Sequence, residues 1–441
     1  MLRLVTMTLL LAACSDGDGT TGGEEPPLSE GGLEAASEGD AAAVEGDPGA
    51  EGAGGESAAG EGAAGQGAGG EGEGEVADPC APTADGPGDA PPPTAGAAMV
   101  FDPPRNRVWM FGGDRQRTKP AGEDPLFTDD TWEFGFCPPA WNKVKFDTFN
   151  LPNKRGGHGV AHDEQGERVF VVFGRDRSDG RGAAPVPDRA YEVQEDVWQY
   201  DLTDDSWSKV RVAADGGQPV PRHGHSVIWD IAGQRLVMFG GVKTGVHVGG
   251  CTDLPCGALL ADTWFLEFGA GLPRWTQLST ENTPPRRQDH AAVLDGATGK
   301  MIVTGGAFGK GRYHGDLWVL DLSTGDWTEA DPQGATETPS RSLGSFAYHP
   351  AERAMLLFGG LGVDGVHNDT YFVDLARLIW VRLGDDDPRE NSGRPAPRSE
   401  AAIVHLTGDR FAVFGGEAEV NLLNDLWEFD TTARTWKNLS P

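Results

Sequence analysis

The chain repeats one pattern six times, and this repetition limits its possible folds more than any other feature of its 441 residues. Each unit contains a short apolar segment that ends in glycine. The six segments are Val108–Gly113, Val169–Gly174, Leu236–Gly241, Met301–Gly306, Met355–Gly360 and Phe411–Gly416. A fixed internal period indicates that each unit forms one supersecondary element, which buries its apolar face against its neighbours.

Two columns of aromatic residues follow these segments. The first column stands two residues after an aspartate, and the aspartates are Asp130, Asp196, Asp262, Asp316, Asp369 and Asp425. Its aromatic residues are Trp132, Trp198, Trp264, Trp318, Tyr371 and Trp427. The second column is Trp141, Trp207, Trp275, Trp327, Trp380 and Trp436. The columns hold 11 of the 13 tryptophans, so we expect tryptophan to fill the space between units and each aspartate to accept backbone N–H groups in a turn.

Each unit also begins with a short strand pattern, which gives four predicted strands per unit and no marked helical periodicity. Six four-stranded units predict an all-β fold, a six-bladed β-propeller over residues 96–441. Unit one contains its own first strand and unit six its own last. We therefore expect packing to close the ring, alone or with the help of a disulfide.

The paired glycines, the aspartate followed by an aromatic residue and the later tryptophan resemble the kelch repeat. Six units in register resemble a propeller of the superfamily that contains kelch proteins and galactose oxidase, and this resemblance implies the propeller fold. Two positions depart from the repeat: Arg175 follows Gly174 where a second glycine is usual, and Tyr371 replaces a tryptophan. We therefore expect blade two to leave its second strand in a different way.

Residues 1–14 predict an export signal, because Arg3 precedes the apolar run Leu4–Leu11 and small residues follow it. The run is too short to span a bilayer. The segment Leu11–Cys14 resembles the bacterial lipobox, which implies cleavage before Cys14 and lipid modification of this residue. The alternative is an ordinary signal peptide with a chance cysteine. Because Ser15 follows the cysteine, the resemblance implies a lipid anchor in the outer membrane of a cell envelope.

Residues 15–95 predict a disordered acidic tether, since they contain 19 acidic residues, 22 glycines and no lysine, arginine or aromatic residue. We interpret the tether as a solvated spacer, with binding of cations or basic partners as the alternative. The whole chain has a net charge of −32. This charge argues against nucleic acid as the main partner and against adsorption to anionic lipid, so the lipid anchor is the only membrane contact expected.

With Cys14 assigned to lipid, four cysteines remain, and an even number in an exported chain predicts disulfides. Cys251 and Cys256 flank a four-residue turn and are the natural pair. Cys80 would then join Cys137 and fix the end of the tether to blade one. The alternative is a metal site, which lacks a second closely spaced pair of cysteines, so no metal is expected.

Five units carry an arginine shortly before their first strand. The arginines are Arg155, Arg222, Arg287, Arg341 and Arg398, and three units add a histidine, namely His158, His225 and His290. A ring of arginines around the channel is suited to clamping carboxylates or sulfates, and three histidines are suited to holding a metal. The alternative is structural, because one arginine per repeat also describes a column that bonds neighbouring backbone carbonyls.

Predicted loop lengths differ between the two faces of the ring. Long segments fall on one face, namely Asp114–Thr128, Arg175–Gln194, Val242–Leu260 and Gly384–Pro397, whereas the other face has tight turns. Because long loops on a rigid scaffold commonly carry function, we expect a monomer that binds an envelope protein or glycan through this face. Resemblance to a six-bladed kelch epimerase implies the alternative, an isomerase or epimerase acting on acidic sugars at the channel mouth. No cofactor is expected.

Overall fold

A computed structural model describes residues 90–115, 127–176, 192–243, 259–330, 339–383, 393–419 and 421–440. Within these ranges the chain is nearly all-β, and its one helical element is a 3-10 turn at Pro103–Arg105. No helix in the described part is long and apolar enough to cross a membrane. The predicted export signal with Cys14, and the tether up to residue 89, lie outside the described residues.

The first three blades contain strands β1 to β14. Blade one is β1 (Ala98–Asp102), β2 (Arg107–Phe111), β3 (Thr131–Phe136) and β4 (Pro139–Lys143). Blade two is β5 (Gly159–Asp163), β6 (Arg168–Val172), the short β7 (Arg175–Asp176) and β8 (Glu192–Val193), β9 (Val197–Asp201) and β10 (Ser206–Lys209). Blade three is β11 (Ser226–Asp230), β12 (Arg235–Phe239), β13 (Thr263–Glu267) and β14 (Arg274–Leu278).

The last three blades contain strands β15 to β28. Blade four is β15 (Ala291–Asp295), β16 (Lys300–Thr304), the short β17 (Ala307–Gly309) and β18 (Arg312–Tyr313), β19 (Leu317–Asp321) and β20 (Asp326–Ala330). Blade five is β21 (Ser345–His349), β22 (Ala354–Gly362), β23 (Gly365–Asp374) and β24 (Ile379–Leu383). Blade six is β25 (Ala402–His405), β26 (Arg410–Glu417), β27 (Leu422–Asp430) and β28 (Thr435–Asn438).

Every blade is a four-stranded antiparallel sheet whose strands pair in chain order. Each blade is therefore built from one contiguous unit, including blades one and six, and within the described residues no strand is exchanged to close the ring. The all-β, six-bladed propeller predicted from the repeats is confirmed. The short pairs β7–β8 and β17–β18 are separate two-stranded sheets in the connections between second and third strands.

The hydrophobic core consists mainly of six clusters, and each one lies between two neighbouring blades. The cluster between blades six and one contains Met110, Trp141, Phe414 and Leu426, all nearly inaccessible to solvent. Packing of this kind closes the ring at its last interface as it does at the other five. Burial of so much apolar surface between blades stabilises the ring as a whole, since no blade can cover its own faces.

The second tryptophan column provides much of this packing. The ring centroid of Trp207 in blade two lies 4.8 Å from that of Phe111 in blade one, and Trp141 lies 5.1 Å from Phe414 across the closing interface. These distances are typical of aromatic pairs that add to the free energy of folding beyond their buried area. The expectation that tryptophans fill the gaps between blades holds for this column.

The glycine pairs adopt backbone conformations that other residues avoid. Gly240 and Gly241 have φ values of 67° and 93°, and a Cβ atom on Gly241 would lie 2.8 Å from the carbonyl oxygen of His223. The second glycine of the pair therefore combines a positive φ with a close approach to the backbone segment that precedes the first strand of the same blade. The pair recurs with positive φ in every blade except blade two.

Blade two departs from the repeat one residue earlier than the sequence suggested. Gly174 has a φ of 104° and occupies the second position of the glycine pair. Arg175 therefore does not stand at a position where the other blades have glycine. The first position is held by Phe173, which has a φ of 55° and is almost fully buried. The sequence interpretation was wrong on this point because a strand end cannot be located to one residue from an apolar run alone.

Candidate functional site

The five arginines near the channel lie inside the blades, and their guanidinium groups have protein partners. Arg222 has no exposed surface, and its Nη1 and Nη2 donate to the two carboxylate oxygens of Asp262 at 2.6 and 2.9 Å. Nη1 also donates to the carbonyl of Gly240 at 3.0 Å, and Nε donates to the carbonyl of Val220 at 3.0 Å. Such a paired fork is the strongest hydrogen-bonding arrangement open to arginine.

The same arrangement recurs in blades two, four, five and six. The pairs are Arg155 with Asp196, Arg287 with Asp316, Arg341 with Asp369, and Arg398 with Asp425. In each blade the guanidinium also holds the carbonyl of the first position in the glycine pair, which in blade two is Phe173. We therefore revise the expectation that these arginines clamp a ligand, because the terminal nitrogens of each guanidinium bind the aspartate and the carbonyl within the blade.

The aspartates complete this network, with side chains as their main partners. Burial alone would raise the pKa of Asp262, but the hydrogen bonds and charge of Arg222 outweigh it and hold the pKa below its ordinary value. The indole of Trp264 adds a third bond, with Nε1 donating to Oδ2 of Asp262 at 2.7 Å. The same bond is made by Trp198, Trp318 and Trp427, so four members of the first aromatic column serve the Arg–Asp pair, a role that the sequence did not reveal.

Two blades vary this network. In blade five Tyr371 replaces the tryptophan, and its ring centroid lies 5.6 Å from the guanidinium carbon of Arg341, which is a cation–π contact. In blade one Thr94 stands where the other blades have arginine. Asp130 there pairs instead with Arg115 and with Lys143, whose Nζ lies 2.7 Å from Oδ1. Each blade therefore supplies a cation to its aspartate, from different places in the chain.

The backbone at each arginine position also joins neighbouring blades. The second glycine of one blade donates its N–H to the carbonyl of the arginine of the next, as Gly241 does to Arg287 at 2.9 Å. The same bond links Gly416 to Thr94 at 2.8 Å and so connects blade six to blade one. The arginine segment therefore fixes its own blade through its side chain and the preceding blade through its main chain.

Two residues after each arginine position, the chain forms a ring at the long-loop end of the channel. We call these six residues the mouth ring, and they are Gly96, Gly157, Gly224, Asp289, Leu343 and Glu400. All have φ values between 53° and 62°. Backbone N–H groups link five of the six neighbouring pairs from blade to blade at 2.8 to 3.0 Å, as from Asp289 to Gly224 and from Gly96 to Glu400. Sequence reasoning missed this ring because only three of its members are glycine.

The mouth ring is chemically uneven. Blades one to three contribute glycine, whereas blades four and six contribute the carboxylates of Asp289 and Glu400, with Leu343 between them. A positive φ is tolerated by aspartate but is strained for leucine and glutamate. Half of the mouth ring therefore has no side chains of its own, and half carries side chains.

The three predicted histidines pack between blades and do not form a metal centre. His158, His225 and His290 lie with ring centroids 5.6, 5.9 and 5.3 Å from Phe111, Phe173 and Phe239, respectively. Burial and, second, the nearby arginine charge lower the pKa of His158 to about 3, so its imidazole is neutral at pH 7. Within the described ranges no group of three or more His, Cys, Asp or Glu side chains is placed to hold a metal ion.

The channel behind the mouth ring forms a cavity whose lining is both apolar and polar. It encloses about 750 Å³ and is lined by the innermost strands, including Val160, Leu294, Phe346 and Ile403. This volume is within the range of small-molecule sites. Polar side chains along its wall include His162, Glu164, Tyr348 and His405.

Several predicted features fall wholly or mainly outside the described residues. They include Cys80, Cys251, Cys256 and most of the long loops, namely residues 116–126, 177–191, 244–258 and 384–392. Cys137 is disulfide-bonded, and its pairing with Cys80 stays a prediction. One described connection on the long-loop face is the hairpin β22–β23, whose tip carries Val363, 81% exposed.

The repeated Arg–Asp–Trp network, the glycine pairs and the six four-stranded blades together define a β-propeller built from kelch repeats. The family model described as the KLHDC2/KLHL20/DRC7 Kelch-repeats domain matches residues 80–269 and 244–441. The chain belongs to this kelch-repeat family. The kelch propeller fold suggests a protein-interaction module.

Individual relatives support the same family. The match to this chain covers only part of the length of each relative. Kelch domain-containing protein 10 of Homo sapiens is 25% identical over 291 residues, which cover 65% of this chain and 61% of that protein. Adagio protein 3 of Arabidopsis thaliana is 27% identical over 75% of this chain and 48% of its own length. The leucine-zipper-like transcriptional regulator 1 homolog of Drosophila melanogaster is 28% identical over 58% of this chain and 25% of its own length. The chain thus spans between a quarter and three fifths of these relatives.

Proposed function

We propose that this kelch propeller is a lipid-anchored interaction module of a cell envelope, which captures a protein or glycan through its long-loop face. One observation carries the proposal. The second-to-third strand connections and the links between blades leave the ring on one face around the mouth ring, while the opposite face has only short turns in the described part. Binding residues on a rigid scaffold concentrate on such loops.

The frame under this face supports the proposal. The Arg–Asp pairs, the bonds between blades and the mouth ring fix the bases of the loops, so these bases do not need to become ordered on binding. We assign the five arginines the role of positioning residues below the face. Contact with the partner falls to the loops, to the hairpin tips such as Val363 and Asp364, and to the mouth-ring carboxylates.

The envelope location rests on the N-terminal sequence. We propose that Cys14 carries the lipid and that the acidic tether holds the propeller away from the membrane. Replacement of Cys14 by serine should abolish incorporation of labelled palmitate and release the chain from the membrane fraction. Labelling that continues in the variant would contradict the anchor.

The enzymatic alternative receives no support from the family or from the relatives, and we do not propose it. The arginines, which were expected to hold an acidic sugar, are instead bound to aspartates within the blades. An interaction role requires no catalytic residues. It also agrees with a fold in which the five arginines stabilise the blades.

The experiment for capture is a pull-down from envelope extract, run in parallel with a glycan array, using the full chain in detergent. Two charge-reversed variants of blade five serve as a matched pair. Asp364→Lys changes the tip of β22–β23 on the long-loop face, and Glu352→Lys changes the β21–β22 turn on the opposite face. Loss of the captured species with Asp364→Lys alone supports the proposal. Loss with Glu352→Lys alone would place the partner on the other face.

A further inference from the structure

Blade four carries a tight hairpin on the long-loop face. Its strands, β17 and β18, lie in the connection between the second and third strands of the blade. Gly309 pairs with Arg312, so Lys310 and Gly311 form the turn, and Gly311 has a φ of 64°. A two-residue turn fixes the geometry of its two strands, so the hairpin presents its side chains from a defined backbone.

The guanidinium of Arg312 is oriented by packing. Its central carbon lies 5.1 Å from the ring centroid of Phe308, which is a cation–π contact. A Cβ atom on Gly309 would lie 2.6 Å from Nε of Arg312, so the missing side chain at this position provides the space that the guanidinium fills. Phe308 itself packs against Val242 and Leu259 of blade three. The direction of Arg312 is therefore set without a carboxylate partner.

The donor groups of this arginine are unused within the described residues. Most arginines there are paired with a carboxylate, as Arg222 is with Asp262. Arg312 is exposed and makes no hydrogen bond or ion pair with any described residue. An oriented guanidinium with an open fork is suited to two parallel hydrogen bonds to a carboxylate or a sulfate.

Two more cations lie beside this arginine. Lys310 is exposed at the tip of the hairpin, and Arg286 is exposed in the link from blade three. The link runs next to the hairpin, because Nε2 of His314 donates to the carbonyl oxygen of Arg286 at 3.3 Å. Burial and, second, the charge of Arg287 lower the pKa of His314, so its imidazole adds no charge at pH 7. The site therefore has three exposed cations.

The carboxylates of the same segments are mostly bound to other groups. Asp316 is held by the buried Arg287, and Oδ2 of Asp289 accepts a hydrogen bond from Gln288 at 2.8 Å. In residues 279–289 and 307–316, the remaining carboxylate is the exposed Glu281. The local charge is therefore positive on a chain whose net charge is −32. Because salt screens exposed charges beyond about 8 Å, this local excess governs what binds at the hairpin.

The groups around the cations favour a sugar chain over a peptide. Residues 279–287 and 307–315 expose no large hydrophobic side chain, and protein partners are commonly anchored by such groups. The hydroxyl of Tyr313 makes no hydrogen bond with any described residue, so it can donate to or accept from a ligand. Cations with a free hydroxyl match a ligand that carries anionic groups and many hydroxyls.

We propose that the blade-four hairpin binds an acidic polysaccharide, with Arg312 on a carboxylate or sulfate group and with Lys310 and Arg286 on neighbouring charges of the same polymer. This inference rests on the proposed function, because it names an acidic glycan as the ligand of the long-loop face. Uronic acids and sulfated sugars carry anionic groups of the kind that the fork recognises, and separate probes distinguish them.

The test is a titration of the full chain in detergent with three soluble polymers. Oligogalacturonate carries carboxylates, dextran sulfate carries sulfates, and dextran is the neutral control. At least one acidic polymer should bind in the micromolar range and weaken as salt rises, whereas dextran should not bind. No binding of either acidic polymer up to about 1 mM, or equal binding of dextran, would overturn the proposal.

Three variants test the geometry of the site. Arg312→Gln should weaken the acidic polymer at least about tenfold. Gly309→Ala keeps every charge but places a methyl group where the guanidinium lies, so it should also weaken binding. Arg434→Gln is the matched control, because Arg434 is an exposed arginine without an ion pair to any described residue, in the β27–β28 turn on the opposite face. Binding that Arg312→Gln leaves intact, or that Arg434→Gln weakens equally, would contradict the assignment.

Other ligand classes are decided with the same variants. Binding of polyglutamate as tight as that of the acidic polymers, and lost in Arg312→Gln, would assign the hairpin to acidic peptides and overturn the proposal. Sedimentation with phosphatidylglycerol vesicles that is lost in Arg312→Gln would assign it to a membrane surface and overturn it as well.

Failure of this inference is distinguishable from failure of the proposed function. Loss of the captured species with Asp364→Lys, together with no binding of the acidic polymers, would keep the long-loop face as the capture surface and overturn the polysaccharide assignment alone. Loss of capture with Glu352→Lys alone, together with polymer binding that requires Arg312, would support the hairpin site and place the captured partner on the other face.

Discussion

Arg222 and Asp262 form a two-point ion pair inside blade three, with the guanidinium fully buried and both of its terminal nitrogens on the carboxylate. The pair joins the segment that enters the channel wall to the segment that begins the third strand. Because the same guanidinium holds the carbonyl of Gly240, one side chain fixes three parts of the blade near the long-loop face.

Removal of this arginine should destabilise the propeller strongly. Arg222→Ala leaves the Asp262 carboxylate and the Gly240 carbonyl without their buried partner, and breaking a buried pair in this way costs about 3–5 kcal/mol. Arg222→Lys keeps the charge but loses the fork, so a smaller loss is expected. Urea unfolding followed by tryptophan fluorescence measures both. A loss below about 1 kcal/mol for Arg222→Ala would show that the pair is not structural.

Restoring the repeat consensus in blade two should not stabilise the protein. Phe173→Gly relieves a positive φ that costs about 1–2 kcal/mol. It also removes a buried ring that contacts Trp275 and His225, and deletion of a buried phenylalanine costs about 3–5 kcal/mol. The second effect is larger, so thermal unfolding should occur at a lower temperature in the variant. A higher melting temperature would mean that the strain outweighs the packing.

The second glycine of the pair should be intolerant of substitution. Gly241→Ala places a methyl group 2.8 Å from the His223 carbonyl and forces alanine to a φ of 93°. We expect a loss of at least about 2 kcal/mol in the free energy of unfolding. Gly296→Ala is the control, because a Cβ there meets nothing within 4 Å. Similar stability of the two variants would contradict the close approach between backbone segments.

Acid should weaken the propeller in two steps. His158 is neutral in the folded chain, with a pKa of about 3, and ionises near 6.5 once unfolded. Its contribution is therefore complete above pH 6.5 and declines as the pH falls toward 3, by up to about 1.4 kcal/mol per pH unit. The lowered pKa values of Asp196, Asp262, Asp316 and Asp425 add a further loss below about pH 4.

The histidine step can be isolated with His158→Ala, a change that blade six already shows with Ala401. Urea midpoints at pH 7 and pH 5 give the pH dependence of each protein. The wild-type chain should lose more stability over this interval than the variant. An identical loss in both proteins would show that His158 titrates normally in the folded chain.

The blades could be predicted from the sequence because the same residue type recurs at the same position of every repeat. Trp207 and its counterparts could be assigned to the gaps between blades since only large apolar residues fill such space. The role of Arg155 could not be predicted in the same way, because its partner Asp196 lies 41 residues away while Arg287 and Asp316 are 29 apart. A loop of variable length separates the two, so a fixed spacing does not reveal the pair.

The mouth ring was hidden for a different reason. A positive φ is visible in a sequence when glycine marks it, as at Gly157 and Gly224, but Leu343 and Glu400 hold the same conformation through the surrounding structure. Bonds from the neighbouring blades impose it on them. Their position, two residues after the arginine, becomes evident only when the repeats are aligned on that arginine.

The most direct test of the central claim is site-specific photocrosslinking in intact cells, with the photoreactive residue placed at position 364 or at position 352 of blade five. These positions lie on the long-loop face and on the opposite face of the same blade. We predict a specific crosslinked product at position 364 and none at position 352. A product at position 352 alone would contradict the assignment of partner capture to the long-loop face.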